Sequence, residues 1–172
     1  MRDIASELAA VLEGAGLGLM RPPAPTANLF TAPMPEVDSE VPDTAVALIV
    51  TGGAGPQPYI GPRRMVYLSL GCQVRIRSAR EDFEDGQQLA LAVFGVLNLA
   101  FLAPFAVVRT EESAPAYLGT DGADRHRWVV NLVLGMLSAS PGILPKRGIS
   151  LLVGGSVDEA NWKLQPHEPS ES

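Results

Sequence analysis

Cys72 and His126 are the two residues whose types could do covalent chemistry, since a thiol and an imidazole within hydrogen-bond reach form a nucleophile and its base. The spacing around Cys72 argues against that use. In residues 65–78, MVYLSLGCQVRIRS, Val66, Leu68, Leu70, Cys72, Val74 and Ile76 fall on one face of a strand and Tyr67, Ser69, Gly71, Gln73, Arg75 and Arg77 on the other. The thiol therefore points to the dry side, where it behaves as a small hydrophobe. A single cysteine also excludes an internal disulfide and a multi-cysteine zinc site. The second histidine, His167, sits in a polar, acidic tail, and neither histidine has another His or Cys at metal-ligand spacing. His126 is expected to be a strand residue satisfied by a neighbouring acid.

The carboxylates gather in two runs, Glu36, Asp38, Glu40 and Asp43, then Glu81, Asp82, Glu84 and Asp85. Such runs solvate a surface. A glycosidase-like pair needs two carboxyls held across a groove, and sequence spacing does not display one. The glycine run at 14–18, GAGLG, closes a helix where a dinucleotide-binding turn must follow a strand and open one. Nor is there a lysine-bearing glycine loop for phosphates. The sequence offers no catalytic, metal or cofactor-binding residues.

The elements behind these residues are well marked. Residues 3–13 form an amphipathic helix with Ile4, Leu8, Val11 and Leu12 on one face. Residues 20–43 are proline-rich, with a short strand around Leu29 and Phe30. A β-branched strand spans 44–50, and TGGAGPQPYIGPRR at 51–64 reads as a long inter-strand loop, either functional or an insertion. After the 65–78 strand, Ser78 with Glu81, or Asp82 alone, caps a helix that runs to about Phe101.

That helix has a core stripe of Phe83, Ala90, Val93, Phe94, Leu97 and Phe101, while Leu89, Leu91, Val96, Leu99 and Leu102 spread to other faces. A helix apolar nearly all round must be covered on more than one side, by a partner or by the chain's irregular segments. The same stretch, 89–108, is long enough to span a bilayer. Pro104, the β-branched residues after it and the acidic lead-in favour a helix followed by a strand at 105–110. A second long strand at 125–137 puts His126, Trp128, Val130, Leu132, Leu134 and Met136 on one face and Arg127, Val129, Asn131 and Val133 on the other, which suits a central position. Residues 138–172 form a polar extension with one further strand at 149–153 and a tail expected to be disordered in isolation. The expected fold is α+β, a mixed, mainly antiparallel sheet with two helices on one face, and the expected division is a domain at 1–137 and an extension at 138–172.

A chain of 172 residues can bury a real core. Its net charge of −6 repels nucleic acid, so non-specific DNA binding is not expected. Cations are almost all arginine, the choice for defined ion pairs at interfaces, although a GC-rich coding sequence gives the same bias. No secretory leader is expected, because acids interrupt the apolar periodicity at the N-terminus.

Several short motifs, in order, carry a resemblance. They are Asn28, Phe30, Pro33 and Pro35 before an acid; Thr51-Gly52-Gly53 after a strand; Val74-Arg75-Ile76-Arg77; and Leu118-Gly119 followed by Asp121, Arg125-His126 and Asn131. Over residues 3–137 this order resembles the minor capsid and tail terminator proteins of long-tailed bacteriophages. The resemblance implies an α+β subunit without enzymatic activity or cofactor. Such subunits assemble in the host cytoplasm as a ring, usually a hexamer, at the head-proximal end of the tail tube. Partners would be other copies, the tail tube protein and the head connector, with DNA passing unbound and no membrane involved. On that reading Arg75, Arg77, Leu89, Val96 and Leu99 lie at a subunit or ring interface, and Tyr59, Ile60, Arg63 and Arg64 form a loop contacting tube or connector. A head-completion or neck protein, a small-molecule binding domain with its pocket beneath the proline-rich connection, and a single-span membrane protein are the alternatives.

Overall fold

The alternation at 65–78 forms the strand it specifies, and that strand organises the rest. The computed structural model describes residues 3–35, 41–59, 65–102 and 106–139. In chain order these give α1 (Ile4–Gly14), β1 (Leu29–Phe30), β2 (Ala45–Tyr59), β3 (Met65–Ser78), α2 (Phe83–Leu97), β4 (Phe101–Leu102), β5 (Ala106–Thr110), β6 (Ala116–Thr120) and β7 (His126–Ala139). The strands make one seven-stranded sheet in the order β1-β2-β3-β7-β5-β4, with β6 also paired to β7. Only β1 and β2 run parallel. The fold is α+β, with a mixed, mostly antiparallel sheet.

Both helices bury one stripe against the same face. Asp3 caps α1 by accepting from the Ser6 N–H at 3.1 Å and the Ser6 hydroxyl at 2.7 Å, and Ile4, Leu8 and Leu12 point inward. From α2 come Ala90, Val93 and Leu97. They meet Val46, Leu48, Cys72, Val74, Ile76, Val108, Val130, Leu132 and Leu134 in a single cluster. Burial of these side chains from water is the main stabilising term.

Length sets what the helices can cover. The 15 residues of α2 span about 22 Å and the 11 of α1 about 16 Å, at roughly 1.5 Å per residue. The 14 residues each of β3 and β7 span about 46 Å, at roughly 3.3 Å per residue. The half of β3 toward Ser78 is packed under the helices, whereas Met65–Gly71 is half-buried or exposed, and every residue of β2 from Val50 to Pro58 is exposed.

Here the structure corrects the expected loop. The strand does not stop at Val50 but continues to Tyr59 opposite Met65, with irregularities between Val50 and Gly52 and between Ala54 and Gln57. Glycine makes the first possible: Gly53 has φ 150°, and a Cβ there would stand 1.9 Å from the Ser69 carbonyl oxygen. β1 reaches only Val46 and Ala47, so the rest of β2 is an edge among the described residues. Pro56 and Pro58, which have no N–H to donate, are tolerated on such an edge.

In the second half of the chain the cap is the second of the two expected: Asp82 is the N-cap of α2, and the Ser78 hydroxyl donates to the Asp82 carbonyl at 3.0 Å. The helix ends at Leu97 instead of near Phe101, because Asn98 turns extended and Leu99 takes a left-handed φ of 62°. The apolar run after it becomes β4, with Leu102 buried and Phe101 in solvent. β6 was not expected as a strand. Among the described residues no helix is long and apolar enough to cross a membrane. The strand expected at 149–153 lies outside the described residues.

α2 sits on the sheet through Gly86, where a Cβ would come within 2.4 Å of the Ser78 Oγ and 2.6 Å of both Ser78 Cβ and Trp128 Cη2. Alanine gains about 1 kcal/mol over glycine in a helix, but overpacking costs about 1–3 kcal/mol. Gly86→Ala is therefore expected to lower stability by about 1 kcal/mol, while Gly95→Ala on the same helix, with nothing within 4 Å, raises it by up to about 1 kcal/mol. Urea unfolding midpoints check the pair, and a gain at both positions would show that the helix does not rest on Gly86.

Candidate functional site

The sheet face turned away from the helices carries the polar half of each alternation. Gln73, Arg75 and Arg77 of β3 stand opposite Asn131, Val129 and Arg127 of β7, and directly opposed residues share a face. A hydrogen-bond chain crosses this face: the Arg75 Nε donates to Gln73 Oε1 at 2.7 Å, the Gln73 Nε2 to Asn131 Oδ1 at 3.0 Å, and the Asn131 Nδ2 to Glu112 Oε1 at 2.6 Å. It runs from an exposed cation to a half-buried carboxylate and fixes β3, β7 and the β5–β6 connection to one another.

Arg77 does a different job from the one expected for it. Its side chain is 3% exposed. The guanidinium donates from Nε to the Asp43 carbonyl at 2.9 Å, from Nη1 to that of Pro35 at 2.9 Å, and from Nη2 to that of Pro42 at 3.1 Å. It thereby ties both sides of the proline-rich connection to the sheet. Beside it, the β6–β7 turn closes on Asp121. One oxygen accepts from the N–H groups of Ala123 at 2.9 Å and Arg125 at 3.1 Å, and the other from Arg125 Nε at 2.9 Å and Nη2 at 2.8 Å. Arg125 also reaches Asp43 at 3.6 Å. Burial pushes the Asp121 carboxyl up, but the two backbone N–H groups and the Arg125 guanidinium outweigh it and hold it below the ordinary value.

Clefts lie where the connection crosses the sheet, as the binding-domain alternative expects. One of about 670 Å³ is lined by Pro35, Val41, Asp43, Arg77, Asp121 and Arg125 among others. Another of about 440 Å³ has Pro33, Met34, Gln73, Arg75, Leu118 and Arg127. In both, most charged groups already bond within the chain. A third polar cleft, of about 620 Å³, lies by Glu13, Arg21 and Pro22.

On the helix side, four rings from α2, β6 and β7 gather: Phe83, Tyr117, His126 and Trp128, with centroids 5.1 to 6.0 Å apart. The Arg80 carbonyl can only accept, so the His126 Nε2, 3.0 Å away, carries the proton and donates to it. The other ring nitrogen, Nδ1, is hydrogen-bonded to the Tyr117 hydroxyl at 2.9 Å. His126 is thus satisfied by a hydroxyl and a backbone carbonyl, not by the acid expected. Cys72 is buried, and desolvation raises its pKa to about 11. It faces Leu132, while His126 faces Ser78 six positions along β3, about 20 Å away at roughly 3.3 Å per residue. No nucleophile and base meet there. Among the described residues no three His, Cys, Asp or Glu side chains are grouped to hold a metal.

Of the other expected contact residues, Arg75 is exposed on the open face, Leu89 and Val96 are half-buried against the core, and Leu99, 70% exposed, lies past the end of α2. Tyr59 ends β2, and Ile60, Arg63 and Arg64 lie outside the described residues. The sequence reading missed an exposed apolar pair on the open face, Phe101 and Val107, because Phe101 was placed on the helix. The motif residues have structural work: Asn28 Oδ1 accepts from the Met20 N–H at 2.8 Å and its Nδ2 donates to the Gly18 carbonyl at 3.2 Å, bracing the turn before β1.

No family model matches this chain, and no curated protein matches it. Among solved structures, a chain from a "virion of native gene transfer agent (GTA) particle" is similar, with a TM-score of 0.46 and 15% identity over 76% of this chain and 84% of that one.

The lowered pKa of Asp121 makes a signed prediction. Its contribution is fully present above the unfolded value of about 3.9 and is lost as pH falls through the lower folded value. Between pH 7 and pH 5 the wild type should exceed Asp121→Asn in urea midpoint, and the two curves should converge as pH drops below about 4. A gap that does not change with pH would show that the carboxylate charge is not what closes the turn.

Proposed function

We propose that the chain is a structural protein of a phage-type virion, acting as a tail terminator. In this role several copies close a ring, of six in the simplest case, at the head-proximal end of the tail tube, stop its polymerisation and dock to the head connector. The observation that carries the proposal is the arm formed by the far halves of β2 and β3. Nine successive residues of a paired strand, Val50 to Pro58, are exposed, and among the described residues no helix reaches them. An isolated domain gains little from ordering such an arm, since its residues bury little surface to offset their conformational entropy. An assembly gains a contact element.

Apolar side chains at the surface support the same reading. Leu91, Leu99, Phe101, Val107 and Leu118 are all exposed, and Phe101 and Val107 adjoin as a strand pair. The acidic net charge suits a lumen through which DNA moves without binding. The ordered motifs that resemble those of tail terminators favour that role within a virion. Residues 138–172 are assigned as an extension outside the ring-forming domain, free to fold on a partner. Tyr59, Ile60, Arg63 and Arg64, at the β2–β3 connection, are assigned to the tube or connector contact.

Gene deletion with electron microscopy of the lysate tests this. Loss of the protein should yield tails of uncontrolled length and filled heads without tails. Tails of normal length lying apart from filled heads would instead make it a head-completion protein, and absence of the chain from purified particles would remove it from the virion altogether.

A further inference from the structure

Two surfaces on different sides of the molecule carry opposite charges beside apolar groups. The first is on the open sheet face. Phe101 of β4 pairs with Val107 of β5, so both project to the same side, while the neighbouring Val108 enters the core. They are 68% and 51% exposed. Arg109, two positions along β5 and on the same face, is exposed and has no ion pair among the described residues. The result is an aromatic knob with a cation beside it.

The second is a groove on the helix side, between α2 and the connection entering β6, lined by Phe83, Gln87, Leu91, Pro115, Tyr117 and Trp128. Its volume of about 150 Å³ is about half the lower bound of roughly 300 Å³ for small-molecule sites. It suits one apolar side chain, not a metabolite. Glu84 and Asp85 stand in the first turn of the same helix, exposed and without a cation partner among the described residues, since the nearby Arg80 pairs with Asp124.

We propose that these surfaces join successive copies of this chain: Phe101 of one copy seats in the groove between α2 and β6 of the next, and Arg109 pairs with the carboxylates of Glu84 and Asp85. The proposal rests on the self-assembling reading above and specifies its contact. Aromatic anchors flanked by arginine are the groups that dominate interface energies, and arginine–carboxylate pairing adds direction. Because the two patches differ, the contact is heterologous, so each copy keeps one free patch and addition continues until a ring closes.

The test uses the full chain. Leu99→Cys, two residues before Phe101, and Ala114→Cys, at the groove, alter exposed positions and leave Phe101 and Leu91 in place, and the native Cys72 is too buried to react, so a short bismaleimide reports only the new thiols. The variant carrying both should give a ladder of covalent oligomers, at high protein concentration or in particles. Each single variant should give no dimer, and an equal mixture of the two singles should give dimer and nothing larger. Adding Arg109→Glu to the double variant should reduce the ladder at least tenfold, and Glu84→Arg with Asp85→Arg should restore it. Dimer from a single variant would mean a symmetric contact and overturn the proposal. So would a double variant no more cross-linked than wild type both in solution and in particles. A ladder from a chain that is absent from virions would leave this contact standing and remove the terminator role; a chain present in virions without a ladder would do the reverse.

Discussion

The pairing of β3 with β7 along all 14 residues of each is the constraint on which the rest depends. It fixes one dry face and one open face over a distance that neither helix can match. α1 and α2 therefore cover the half of the sheet toward Ser78 and leave the other half without a layer. Two features of the surface follow from that mismatch, the exposed arm of β2 and the half-exposed start of β3. A small α+β domain ordinarily trims its strands to its helices. This one does not, and the assembly we propose uses the surplus length.

Among the described residues, the open face is held in register by polar groups and not by a helix. Arg77 gathers three carbonyls of the proline-rich connection, Asp121 closes the β6–β7 turn with Arg125, and the line from Arg75 through Gln73 and Asn131 to Glu112 crosses from strand to connection. Removing a partner from such a network leaves half-buried groups unpaired, which costs more than the bond itself contributes. These residues keep the face rigid, and a rigid face is one another copy can recognise without paying to order it.

Much of the fold was legible in the sequence because periodicity reports burial. β3 and β7 alternate cleanly, α1 shows its stripe, and the Leu29–Phe30 strand stands out from its prolines. What escaped had specific causes. Residues 51–59 are rich in glycine and proline, the signature of a loop, yet an edge strand with irregular pairing accepts both. The apolar run through Leu99 hid the end of α2, since hydrophobicity continues from helix into β4 while the backbone reverses at Asn98 and Leu99. β6 is five residues long, and glycine at 119 masks its pattern. Arg77 read as a surface cation because alternation gives the face but not what lies over it. The ring cluster joins His126 and Trp128, whose alternation already put them on one face, to Phe83 and Tyr117, which only the topology brings beside them.

The account stands on the claim that the arm is made to be covered by neighbours. Hydrogen exchange across residues 50–58, compared between the free chain and the assembled particle, tests it most directly. The account predicts rapid exchange in the free chain and at least tenfold slowing in the particle, with Cys72–Ser78 protected alike in both. Equal exchange of residues 50–58 in the two states would contradict it.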